Sequence, residues 1–270
     1  MTDPLNDTPN NDAGENGTGE RKPRRGIYLL PNLFTTAGLF AGFYAIISAI
    51  TGKFEYAAIA IFVAMIMDSI DGRVARLTNT QSDFGKEYDS LADMVSFGLA
   101  PALVMFEWSL SSLGKLGWLA AFVYTAGAAL RLARFNTQVG TACKRYFQGL
   151  ASPAAAACVA GMVWVGADLG WQGSDIAAFT FVLTILSGML MVSNIRYRSF
   201  KDLDLKGRVP FVEVLVVVLI FVLISVDPPR VLFLVFLLYA VSGPAFTLVQ
   251  LRQKRALRKQ QNMGPPPGPL

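Results

Sequence analysis

The chain contains no histidine and only two cysteines among its 270 residues. Without histidine, any metal site must be built from carboxylates, and a general base falls to Asp or Glu. Cys143 and Cys158 are too few and too irregularly placed for a disulfide framework or a zinc site. Charge is also scarce: 16% of residues are charged against 53% hydrophobic, well outside the average of soluble domains. That balance excludes an ordinary soluble enzyme and makes the chain an integral membrane protein.

Apolar runs recur near residues 33–51, 56–74, 90–110, 116–135, 151–168, 175–193, 210–226 and 231–250. A hydrocarbon core of about 30 Å takes roughly 20 residues of helix to cross. Runs such as "VEVLVVVLIFVLISV" lack the alternation of a barrel strand, so the spans are helices. The expected fold class is all-α, a polytopic membrane helix bundle of about eight transmembrane helices. Residues 1–26 and the terminal "NMGPPPGPL" cannot bury a core and read as disordered tails. Residues 27–251 are the expected transmembrane catalytic domain, with 252–270 a basic, then Pro/Gly-rich, tail.

Of the 24 Lys and Arg residues, all but Lys53, Lys115 and Arg230 fall on one side when the ends and loops are numbered alternately. The positive-inside rule then puts both termini in the cytoplasm, with an even number of spans. The net charge of +5 reflects this asymmetry and attraction to anionic lipid headgroups, with no nucleic-acid partner implied. Trp108, Trp118 and Trp171, near span ends, read as interfacial anchors, and Gly38, Gly42, Gly127 and Gly161 as helix-packing positions.

Against this background the second span ends in "MDSIDGRVAR" and the third begins in "FGKEYDSLAD", joined by "LTNTQSD". Asp68 and Asp71 are three apart and Asp89 and Asp93 four apart, so each pair lies on one helical face. The four carboxylates can converge between two helices, where bare they would repel strongly. A hard divalent cation such as Mg²⁺, Mn²⁺ or Ca²⁺ is the natural partner, with substrate phosphate completing its shell. Gly72 and Gly85 would let a ligand or backbone come close, Ala75 keeps the same face open, and Arg76 offers a fixed charge for phosphate. Asp83 and Glu87 read as solvated charges.

Asp68-x2-Asp71-Gly72-x2-Ala75-Arg76-x8-Gly85-x3-Asp89-x3-Asp93 resembles the signature of the CDP-alcohol phosphotransferase family at every defined position. The resemblance implies a six-helix core, commonly a homodimer, that moves a phosphoalcohol or phosphatidyl group from a cytidine diphosphate donor to an alcohol. CMP leaves, with Mg²⁺ or Mn²⁺ as cofactor, two ions being expected. By the same analogy Asp68, Asp71 and Asp89 are the firmer ligands, and Asp93 both ligates and acts as the base. "YLLPNLFTTAGLFAGF", "RLARFN", "YFQGLASPAAA" and "VSNIRYRSFK" further resemble the branch that uses L-serine as acceptor and CDP-diacylglycerol as donor. "GLASP" stands where "GLPSP" is expected.

The resemblance spans roughly residues 27–205. It implies a site at the cytoplasmic face of a membrane, the bacterial inner membrane being expected. Serine needs a cation for its carboxylate, and Arg131, Arg134, Lys144 and Arg145 flank the right loop; "RLARFN" favours Arg134 with Asn136. Asn32, Thr35 and Thr36 are candidates to face the cytidine. A same-family enzyme using glycerol 3-phosphate or inositol phosphate stays open. More distant alternatives are an intramembrane prenyltransferase, whose Asp clusters lie far apart in sequence, and an ion-coupled transporter, which leaves the Gly and Arg spacing unexplained.

Overall fold

The computed structural model describes residues 29–78, 82–138, 146–198 and 211–262. Helices α1 (Leu29–Ile50) and α2 (Phe54–Leu77) form a hairpin, and α3 (Asp83–Asp93) runs through a π-helical turn, Met94–Leu99, into α4 (Ala100–Trp108). Then come α5 (Lys115–Gln138), α6 (Ser152–Asp168), α7 (Ala177–Val192), α8 (Phe211–Val226) and α9 (Pro228–Asn262). These helices lie over the eight apolar runs, and the chain is an all-α polytopic membrane protein. Among the described residues, five helical segments are long and apolar enough to cross a bilayer. The remaining three differ for evident reasons: α2 carries Glu55, Asp68, Asp71, Arg73 and Arg76, while α6 and α8 have 17 and 16 residues.

α6 is the centre of the bundle. Its run from Ala154 to Val163 is buried without a break, as expected of a helix apolar on all sides. It packs against α2, α4, α7 and α9. Small residues let the neighbours close in: Ala41, Ala45 and Ala49 of α1 and Ala57, Ala58, Ala60 and Ala64 of α2 are all buried. A Cβ on Gly127 of α5 would sit 2.5 Å from the Gly188 carbonyl of α7, so that pair of backbones is in contact. Gly161 meets Phe233 of α9 in the same way, and Gly42 meets Ser96. Outward, Phe43, Ile47, Phe122, Phe179 and Phe221 are exposed where lipid covers them.

Several features depart from the sequence reading. Two three-residue strands, β1 (Tyr146–Gln148) and β2 (Arg196–Arg198), pair antiparallel with Phe147 opposite Tyr197. They are too short for a periodic signal. Tyr197 is buried, donates from its hydroxyl to the Ala240 carbonyl at 2.9 Å, and packs its ring on Tyr239. A Cβ on Gly243 would collide with that ring, so this glycine seats α9 on β2. Trp108 is not an interfacial anchor: it is buried against Gly166, where no side chain fits, whereas Trp118 and Trp171 are exposed. α9 continues through the basic segment to Asn262, since its Arg, Lys, Gln, Leu and Ala are good helix formers. The tail at 1–26 and the Pro/Gly-rich end lie outside the described residues.

At one end of the bundle Arg230 pairs with Asp168 at 3.4 Å and with Asp227, fastening α9 to α6. The other end gathers the start of α1, the end of α2, the start of α3, the end of α5 and the end of α7. Replacing Gly127 with Val is expected to cost about 1–3 kcal/mol by forcing α5 off α7. The check is a lowered melting temperature of the detergent-solubilised protein.

Candidate active site

α2 loses its apolar character at Asp68, and the next helical turn brings Asp71 onto the same face. α3 starts at Ser82, whose Oγ accepts the Gly85 N–H at 3.0 Å, a cap that fixes where the helix begins. Asp89 and Asp93 then lie one turn apart and face α2. Asp68, Asp71 and Asp89 each offer one carboxylate oxygen, and the three lie within 4.8 Å of one another. Asp93 lines the same cavity with Thr35, Gly38, Ala64, Ala92 and Ser96. The space between them, about 10 Å³, admits a water-sized sphere. An ion fits there, whereas a headgroup must lie above it.

Among the described residues, no Lys or Arg forms an ion pair with these four carboxylates. Asp71 is buried and receives a hydrogen bond from the Thr35 hydroxyl at 2.8 Å. A crowd of hard oxygen donors without a paired cation fits a divalent metal ion of the oxygen-seeking type. Thr35 is itself buried, and its proton is directed at Asp71.

Around this cluster lies a looser rim. Among the described residues, a Cβ on Gly72 would meet nothing within 4 Å, so these leave the space over α2 beside Asp71 open. Ala75 is half-buried; Arg76 is exposed, with its Nε donating to the Gly72 carbonyl at 2.7 Å. Gly85 brings α3 against Asn32, whose Oδ1 would stand 3.4 Å from a Cβ there. Thr36 exchanges a hydrogen bond with Tyr88 at 2.9 Å, tying α1 to α3. Asp83 is fully exposed and pairs with Lys86, and Glu87 is exposed, so both carboxylates stay outside the cluster.

The α5 residues divide unexpectedly. Arg134 gives its guanidinium to the Val192, Gln148, Met191 and Ser193 carbonyls and to Asn194 Oδ1, at 3.0 to 3.4 Å. These bonds clamp the end of α7 and β1, and Gly149, at φ 80°, allows the close approach. Arg131 instead donates from Nη1 to Ser152 at 2.9 Å, and among the described residues its buried Nε has no hydrogen-bond partner. Asn136 bonds Ser90 of α3 through its Nδ2 at 3.0 Å. Lys144 and Arg145 lie outside the described residues. Ser96 and Tyr88 escaped sequence reasoning; Ser96, three residues past Asp93, shares the face of the two carboxylates, and that spacing was a usable signal.

Residues 28–193 match the family described as CDP-alcohol phosphatidyltransferase. A CDP-diacylglycerol–serine O-phosphatidyltransferase of Helicobacter pylori is 36% identical over 82% of this chain and 92% of its own. An enzyme of the same name from Mycobacterium leprae is 31% identical over 84% of this chain and 78% of its own. Another, from Methanocaldococcus jannaschii, is 34% identical over 68% and 80%.

Thr35→Val removes the hydrogen bond that orients Asp71 while keeping the side-chain volume. Mn²⁺ binding by the purified protein, followed by electron paramagnetic resonance, is expected to weaken about 10–100-fold with little change in melting temperature.

Proposed function

The chain belongs to the CDP-alcohol phosphatidyltransferase family, and we propose that it transfers the phosphatidyl group of CDP-diacylglycerol to the hydroxyl of L-serine, giving phosphatidylserine and CMP. The observation that carries this reading is the meeting of Asp68, Asp71, Asp89 and Asp93 at one cavity between α2 and α3. Asp68, Asp71 and Asp89, joined by Asp93, would hold Mg²⁺ or Mn²⁺, two ions by the number of carboxylates. When bound, such ions supply the positive charge that neutralises a pyrophosphate and its departing CMP.

The protein groups do the rest. The open space above Gly72 would admit the pyrophosphate beside the cluster, with exposed Arg76 and half-buried Asn32 at hand for its oxygens and the cytidine. Asp93 takes the proton of the serine hydroxyl. The serine oxygen then forms a bond to the phosphorus that carries diacylglycerol, the bond from that phosphorus to the CMP oxygen breaks, and the electron pair leaves with CMP. Arg131 is better placed than Arg134 for the serine carboxylate. Among the described residues its Nε has no hydrogen-bond partner, whereas Arg134 is engaged by carbonyls. Asn136, bonded to Ser90, holds α5 to α3 beside the acceptor space.

The acyl chains remain in the bilayer between helices. The asymmetry of Lys and Arg supports a site and termini on the cytoplasmic side of the membrane, which we take to be a bacterial inner membrane. The family resemblance supports a homodimer, with residues 27–251 as one catalytic unit.

Purified protein given CDP-diacylglycerol and Mn²⁺ is expected to release CMP with serine and not with glycerol 3-phosphate or inositol phosphate. CMP with one of the latter alone would move the acceptor, and none with any alcohol would sink the proposal. Asp93→Asn is expected to lower kcat by about 10²–10⁴ while the protein stays folded. Arg131→Lys is expected to raise KM for serine with a smaller effect on kcat. Arg134→Lys should lower the melting temperature without a selective effect on serine, and the reverse pattern would return the acceptor role to Arg134.

A further inference from the structure

The third span is a helix interrupted at one place, directly after Asp93. Pro101 has no N–H, so the Phe97 carbonyl, four residues earlier, lacks its ordinary helical donor. The chain responds with the π-turn Met94–Leu99, in which the Ala100 N–H reaches back five residues to the Val95 carbonyl. A π-turn fits one extra residue into the helix, and one residue corresponds to roughly 100° of rotation. With α4 packed as it is, the turn therefore decides which way Asp89 and Asp93 point.

We propose that Tyr124 of α5 is a positioning residue that holds this turn in register and thereby aims Asp93 and Asp89 into the cluster. Tyr124 is fully buried, and its hydroxyl donates to the Phe97 carbonyl at 3.0 Å, the same oxygen that Pro101 leaves without its ordinary donor. The next residue, Thr125, donates to the Gly98 carbonyl at 3.4 Å. Gly98 permits this contact, because a Cβ there would stand 3.1 Å from Ala128.

The backbone that carries Tyr124 cannot shift to follow a displaced turn: a Cβ on Gly188 would be 2.8 Å from the Tyr124 Cα, so α7 backs directly onto α5 at this residue. On the opposite side Ser96 donates to the Gly38 carbonyl of α1 at 3.1 Å, and Gly42 leaves room for Ser96. The turn is thus gripped between α1 and α5, with Asp93 adjoining its first residue. The inference rests on the cluster being the metal-binding and catalytic centre.

Tyr124→Phe keeps the ring and removes the hydroxyl. In detergent-purified protein, the dissociation constant for Mn²⁺ without substrates is expected to rise about tenfold or more, and kcat to fall about 10–100-fold. KM for serine should change little. Ser109→Ala serves as the comparison. It removes a buried hydroxyl that donates to the Gly173 carbonyl at 2.6 Å at the opposite end of the bundle, and should lower the melting temperature alone. If Tyr124→Phe behaves like Ser109→Ala, or binds Mn²⁺ and turns over as the unaltered protein does, Tyr124 is core packing and the proposal is overturned. Unaltered protein that binds Mn²⁺ but releases no CMP removes the functional reading, while the Mn²⁺ comparison still decides the role of Tyr124. Unaltered protein that binds no Mn²⁺ overturns both.

Discussion

Mutual repulsion among carboxylates at the end of a membrane bundle is the constraint around which this protein is organised. Within the 4.8 Å that spans Asp68, Asp71 and Asp89, each charged pair repels by roughly 3.5 kcal/mol or more at an effective dielectric of about 20. Among the described residues no basic side chain is paired with them, and Thr35 supplies one neutral hydrogen bond. Such a cluster stays together only if the helices beneath it cannot move apart and if a cation offsets the charge when it arrives. A preformed cluster of this kind could hold a metal ion, whose charge would offset the repulsion.

The rigidity comes from close backbone approach and from a few polar clamps at the same end. Gly127 against Gly188, Gly42 against Ser96 and Gly161 against Phe233 replace side-chain volume with contact between helices. Arg134 gathers carbonyls at the end of α7, where a helix leaves its last acceptors unsatisfied. Ser90 with Asn136, and Thr36 with Tyr88, tie α3 to α5 and to α1. α9 lies beyond the residues matched by the family, yet it is seated by Gly243 on Tyr197 and by Phe233 on Gly161, so it is part of the same packed body.

Much of the site was legible because its chemistry repeats at helical spacing. Asp68 with Asp71 and Asp89 with Asp93 announce faces, and Gly72 and Gly85 mark where something must come close; the family signature adds the donor. The arginines were harder to read. Arg131 and Arg134 are three residues apart on one helix in "RLARFN", and nothing in that string says which is occupied by carbonyls and which keeps a free Nε. Thr35 opens a span, and nothing local in its sequence says that the packing of α1 on α2 brings its hydroxyl to Asp71. Trp108 was misjudged for the same reason, since burial against Gly166 depends on which helix lies opposite.

By itself the sequence determined the membrane environment, the helices and their approximate ends, the cation-seeking character of the cluster and the family. These follow from hydropathy, period and residue type, all local properties of the chain. The tertiary structure alone decided the partner of each polar group: Thr35 for Asp71, Tyr124 for the carbonyl left by Pro101, main-chain oxygens for Arg134, and α9 for Tyr197. The separations in sequence are 36, 27, 14 and 43 residues, and such contacts depend on how whole helices rotate and tilt against one another. No window of sequence carries that information, because each rotation is fixed by small residues and a proline on several helices at once.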